Sequence, residues 1–151
     1  MMGMARLSRI LTIALLALPV TLATPAHAAY GSDLAVNIDV YGQGIKLSGA
    51  YGTIAFDDGN TKYRYSIAVC WQGSYSRPTL YASVNGAWRS PLGGTSTPVT
   101  IPQCTGQATL VSGEASGGTI NNVSIVVDGV KFNPPNSTYH TNSAFYDNPF
   151  N

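Results

Sequence analysis

His140 is the only histidine and Glu114 the only glutamate beyond residue 28, so proton-transfer chemistry in this chain has few groups to run on. A Ser-His-Asp arrangement would have to recruit His140, which lies in a stretch without regular patterning, whereas catalytic groups need rigid elements behind them. Two carboxylates for glycoside hydrolysis could come only from Glu114 and scattered aspartates, and the adjacent pair Asp57 and Asp58 is explained by turn chemistry. Asp57, Asp58 and Asn60 around Gly59 offer hard oxygen ligands, but the spacing and closing glutamate of a calcium loop are missing. No catalytic residue, metal site or cofactor is assigned.

Aromatic and basic residues are better placed to do something. Asn85-Gly86 between two short alternating runs is a strong hairpin signal. A two-residue turn there sets Ser83 opposite Trp88, with Tyr81 diagonal to Trp88 on the same face. If Leu80, Ala82 and Val84 point to the core, Tyr81 and Trp88 form an exposed platform that could stack on sugars or anchor a protein contact. The opposite parity would bury Trp88 together with Ser83 and Ser90. A second group, Tyr51, Thr53, Lys62 and Arg64, falls on the outward parity of the hairpin centred on Asp57 to Asn60. Tyr81, Trp88, Lys62, Arg64 and Tyr51 are therefore the candidate binding residues.

The elements that must carry them are strands. From Thr61 to Trp71, Tyr63, Tyr65, Ile67, Val69 and Trp71 alternate with Lys62, Arg64, Ser66, Ala68 and Cys70, which predicts a strand with one apolar face. Asp33 to Val40 alternates likewise, and Ile45 to Phe56 reads as a long strand with a bulge or bend at Gly49 or Gly52. The Asp57–Asn60 turn would pair Phe56 with Thr61 and Ile54 with Tyr63. Further strands are expected at 79–84, 87–90, 99–104 and 107–112, with 92–98 a loop and 114–118 a turn. Thr119 to Val127 would turn back at Asp128-Gly129 into 130–132. No helical pattern of useful length is present beyond residue 28.

Residues 1–28 have the form of a secretory signal peptide. Arg6 and Arg9 precede the apolar run Ile10 to Val20, and Ala26-His27-Ala28 is a small-residue cleavage site. The run is shorter than the roughly 20 residues a membrane-spanning helix needs. Losing Arg6 and Arg9 turns the formal charge from +1 to slightly negative, so nucleic acid and anionic membrane have no electrostatic basis as partners. Cys70 and Cys104 are an even pair in an exported chain and read as one disulfide.

Eight or nine short strands with regular turn signals predict a single-domain, all-β antiparallel sandwich of immunoglobulin-like architecture over residues 29–132, with a barrel as the other option. The residue pattern of the immunoglobulin family itself is not matched, because Trp71 directly follows Cys70 and no tyrosine precedes Cys104 by two. Residues 133–151 are Asn- and Pro-rich and are expected to be irregular but docked on the domain through Tyr139, Phe145, Tyr146 and Phe150. The expected role is that of a secreted, extracellular, non-catalytic protein binding a wall or extracellular polysaccharide, or another protein, through exposed aromatics. A secreted inhibitor or toxin-like module is the alternative, and a small hydrolase a further one.

Overall fold

The computed structural model describes residues 29–151; the expected signal peptide lies outside the described residues. Among the described residues, nine strands form two antiparallel sheets, and one disulfide joins Cys70 to Cys104. The strands are β1 Leu34–Gly42, β2 Ile45–Phe56, β3 Lys62–Trp71, β4 Leu80–Val84, β5 Ser90–Pro91, β6 Thr95–Pro98, β7 Gln107–Ser116, β8 Asn122–Asn133 and β9 Asn136–Asp147. The five-stranded sheet runs β1-β2-β3-β7-β6 and the four-stranded sheet β5-β4-β8-β9.

Period-two alternation builds the core. Val36, Ile38 and Val40 of β1, Ile54 and Phe56 of β2, and Tyr63, Tyr65, Ile67 and Val69 of β3 pack against Leu80, Ala82, Val123, Ile125 and Val127 of the other sheet. Burying side chains of this size is worth about 1.5–3 kcal/mol each, which makes the inner faces the dominant stabilising element. Cys70 and Ala68 are buried as well, on the outer parity of β3. The irregular segment 99–106 reaches Cys70 through Cys104, with the two Cα atoms 5.6 Å apart. Closing that loop contributes about 3–4 kcal/mol on a chain-entropy estimate.

Several elements differ from the sequence expectation. The β2–β3 ladder pairs Phe56 with Tyr63 and Ile54 with Tyr65, two residues from the expected register. The cause is Asp57, whose buried carboxylate accepts the N–H groups of Thr61 at 2.8 Å and Lys62 at 2.6 Å and so widens the turn. A shift of two preserves the parity, so the same residues remain in the core. The β2 irregularity falls at Leu47, between the pairs Val40↔Ser48 and Tyr41↔Lys46, while pairing continues unbroken through Gly49 and Gly52.

Thr95–Pro98, expected as a loop, forms the edge strand β6, and residues 99–104, expected as a strand, are irregular. Pro98 and Pro102 cannot donate to a ladder, which favours a short edge followed by a loop. The turn expected at Glu114 begins later, because β7 runs on to Ser116.

Asp128-Gly129 is not a turn but the middle of β8. A Cβ at Gly129 would lie 2.9 Å from Leu47 Cβ and 3.1 Å from Val40 Cγ1, so this glycine permits the two sheets to approach. Asp128 receives the Thr79 N–H on its carboxylate at 2.5 Å. The hairpin closes instead at the cis peptide Pro134–Pro135, and residues 136–147, expected to be irregular, form the edge strand β9. The boundary expected at residue 132 therefore falls inside β8.

The two flanks of the molecule differ. On one, β9 of the smaller sheet lies along β1 of the larger, and Asn142 Nδ2 donates to the Asp39 carbonyl at 2.8 Å. On the other, the smaller sheet ends in the two-residue β5, and a cleft opens between it and β7 above the buried inner face of β3.

Candidate functional site

The open flank begins at the Asn85-Gly86 turn. Asn85 has φ 51° and Gly86 φ 74°, and the Ala87 N–H closes on the Val84 carbonyl at 2.9 Å. Both central residues in the left-handed region make a tight hairpin turn. The ladder that follows is one residue out of the expected register, pairing Tyr81 with Pro91 and Ala82 with Ser90. Ser83 Oγ donates to the Ala87 carbonyl at 2.6 Å and holds the return strand away from the ladder at that point.

Tyr81 and Trp88 are consequently not set on one face by the expected pairing, although Trp88 also borders a shallow surface with Arg89 and Val126, the ladder partner of Tyr81. Tyr81 is half-buried, with the Arg89 guanidinium 4.9 Å from its ring centre. Trp88 is 96 % exposed and borders an open cleft of about 480 Å³, a size in the range of small-ligand sites. Tyr63 and Tyr65 line the cleft from β3, Ala82 and Val84 from β4, and Leu92, Gly93 and Gly94 from the segment after β5.

Tyr65 donates its hydroxyl to the Gly93 carbonyl, so a core aromatic fixes the loop that forms one wall. Gly94 must be glycine there. Its φ is +113°, and a Cβ would fall 2.2 Å from the Ser112 carbonyl oxygen. Burial, with a smaller contribution from neighbouring Tyr65, pushes the Tyr63 phenol up to about 12, and burial raises Tyr65 as well. Both therefore stay protonated and neutral around neutral pH, as hydrogen-bonding groups with aromatic bodies. Glu114 is the one carboxylate residue bordering the cleft, and its Oε1 is engaged by Lys62 Nζ at 3.0 Å.

Lys62 and Arg64 lie on the outer face of the larger sheet, each with a partner. Lys62 joins Glu114; Arg64 Nη2 is 3.1 Å from Asp33 Oδ1, and its guanidinium sits 4.9 Å from the Tyr30 ring centre. Tyr30 donates its hydroxyl to Glu114. Hydrogen bonds from Tyr30 and Lys62 hold the Glu114 carboxyl below the usual carboxylate range.

Tyr51 is on the same outer face but in a different cluster. The bulge at Leu47 reverses the parity of the residues before it, so Leu47 stays buried while Lys46 comes to the outer face beside Asp39. Tyr51 lies over Gly49, donates to Asp39 and accepts from Lys46, and Lys46 Nζ is 2.7 Å from Asp39 Oδ1. Burial disfavours the Asp39 carboxylate, yet the Lys46 and Tyr51 hydrogen bonds outweigh it and lower its pKa. Burial and the Asp39 bond raise the Tyr51 phenol. The strip expected from Tyr51 to Arg64 is thus two self-satisfied clusters.

His140 sits on the closed flank against Gly42, and its buried Nε2 has no hydrogen-bond partner. It therefore joins no Ser-His-Asp relay among the described residues. No group of three or more His, Cys, Asp or Glu side chains converges on a metal position among the described residues.

Sequence reasoning reached Trp88 but missed the cleft beside it. Tyr63 and Tyr65 were legible as core, and the signal that they also line a site was their hydroxyls, which a purely apolar core does not accommodate without partners. No family model matches the chain, and neither a curated protein nor a solved structure matches it.

Proposed function

We propose that this is a secreted, non-catalytic binding protein, a β-sandwich of immunoglobulin-like architecture, that takes an extracellular polysaccharide in the cleft beside Trp88. One observation carries the reading: a tryptophan that is 96 % exposed stands at the edge of a cleft that reaches down to the buried Tyr63 and Tyr65. Large aromatics are ordinarily well buried, and one left in water beside a concave site suits ligand contact. Ring faces stack on the apolar faces of sugars, while phenol hydroxyls and backbone carbonyls meet their hydroxyl groups. Secretion rests on the pattern of residues 1–28 and is in keeping with the Cys70–Cys104 bond.

The test is retention on insoluble polysaccharides, with wild type and Trp88→Ala side by side. Trp88→Ala should weaken retention by tenfold or more, as loss of a central anchor does. Its melting temperature should stay at the wild-type value, because so exposed a side chain contributes little packing. Undiminished retention of the variant would falsify the reading.

An inhibitor-like module that docks on another secreted protein is the second reading. It is favoured by Phe132, Tyr139 and Phe145, which are 60, 73 and 58 % exposed on β8 and β9. Phe145→Ala and Tyr139→Ala would then abolish capture of a partner protein and leave polysaccharide retention untouched.

A further inference from the structure

The open flank extends well beyond Trp88. Three cavities follow one another along the β3–β7 ladder. Tyr63 and Tyr65, paired with Ala115 and Gly113, line the first. Val69 and Val111 line a second of about 200 Å³. Trp71, with its ladder partner Gln107, and Thr109 line a third of about 540 Å³. Leu92 borders the first and the second, and Arg77 the second and the third, so the three are stations along one groove. At ~3.3 Å per strand residue, the run from Tyr63 to Trp71 is roughly 26 Å.

The far station repeats the chemistry of the near one. Trp71 is half-buried, with its ring 6.0 Å from the Arg77 guanidinium, and Arg77 Nη2 donates to Ser96 Oγ at 2.8 Å. Two indoles therefore stand at the ends of a groove whose middle combines Val69, Val111 and Leu92 with Arg77 and Thr79. The charged residues along it are Glu114 at one end and Arg77 between the middle and the far cavity, and Glu114 is already paired with Lys62. Such a groove offers no continuous charge to a polyanion or polycation. It suits a chain of uncharged units, long enough to reach both rings.

We infer that the ligand is an unbranched, neutral polysaccharide lying lengthwise in this groove, with Trp71 as a second stacking position and Arg77 and Gln107 donating to sugar hydroxyls. The inference rests on the glycan-binding reading above and adds to it the course and class of the chain. A ligand engaging only the Trp88 cleft would gain nothing from added length.

Soluble fragments of cellulose and chitin, a disaccharide and a long oligomer of each, decide the matter by titration calorimetry. Wild type should bind the long oligomer of one series at least tenfold more tightly than the disaccharide. Trp71→Ala should remove that gain, so that the long oligomer binds no more tightly than the disaccharide, and Trp71→Phe, which keeps a ring, should restore most of it. Should Trp71→Ala fail to fold, Arg77→Ala, at an exposed residue, must show a selective loss on the long oligomer. Binding by wild type without length dependence, or an unchanged gain in the variants, overturns the lengthwise placement and leaves the Trp88 reading standing. A wild-type chain that binds neither series nor the parent polymers, yet retains a secreted protein, overturns both.

Discussion

Asp57 is a carboxylate with 1 % of its surface exposed, and it stays charged because the turn it begins surrounds it with donors. Burial alone would raise its pKa, but the N–H groups of Lys62 and Thr61 and the Thr61 hydroxyl outweigh that and lower it. A carboxyl depressed in the folded state takes up its proton more readily unfolded. The stability it confers is thus complete above its ordinary value of 3.8 and is lost as the pH falls through the lower folded value. Asp57→Ala should cost roughly 2 to 4 kcal/mol at neutral pH, since it orphans two backbone donors. Denaturant titrations at descending pH should show the variant losing stability less steeply than wild type below that value. Equal slopes would remove Asp57 as a source of acid sensitivity. The same residue explains a limit of sequence reading: Asp57-Asp58-Gly59-Asn60 announces a turn, but not that the first carboxylate folds inward and lengthens it.

At the scale of elements, what was legible followed from alternation strong enough to survive any register. β3 lies where its pattern puts it, with Ile67 fully buried and Arg64 exposed. Ile67→Ala should cost roughly 2 to 5 kcal/mol through the cavity it leaves. Arg64→Ala should stay within about 0.5 kcal/mol, because an exposed pair such as Arg64–Asp33 adds little. Comparable losses in chemical denaturation would mean that the two faces are not distinguished as described. Other elements were illegible because contacts distant in sequence decided them. Asp128-Gly129 has the composition of a turn, yet Gly129 serves the approach of Leu47 and Val40 from the other sheet. β9 shows weak alternation because its inner face carries only His140, Asn142, Ala144 and Tyr146, two of them polar, and it is held by pairing with β8 along its whole length. The site was half legible for the same reason. Trp88 stood out, whereas the cleft depends on Gly93-Gly94 folding back onto Tyr65 and on Ser112, which no neighbouring residue foretells.

For the whole molecule, the difference between its flanks has a dynamic consequence. β3 is bonded on both sides along its length, and β1 and β9 support each other across the sheets. β5 has two residues and β6 four, all exposed, each paired on one side only. Local opening takes its free energy from the contacts it breaks, so protection of amide hydrogens should be graded across the molecule. Amides of β3 should exchange only with global unfolding, and those of Ser90–Thr97 orders of magnitude sooner, as hydrogen–deuterium exchange followed by mass spectrometry would resolve. Uniform protection of both flanks would contradict this. The strands that border the groove are then the ones that breathe under native conditions, and the groove width is a fluctuating quantity set by that breathing. A ligand that spans it would act as a clasp, raising the opening free energy of β5 and β6 while leaving the slowest amides of β3 unchanged.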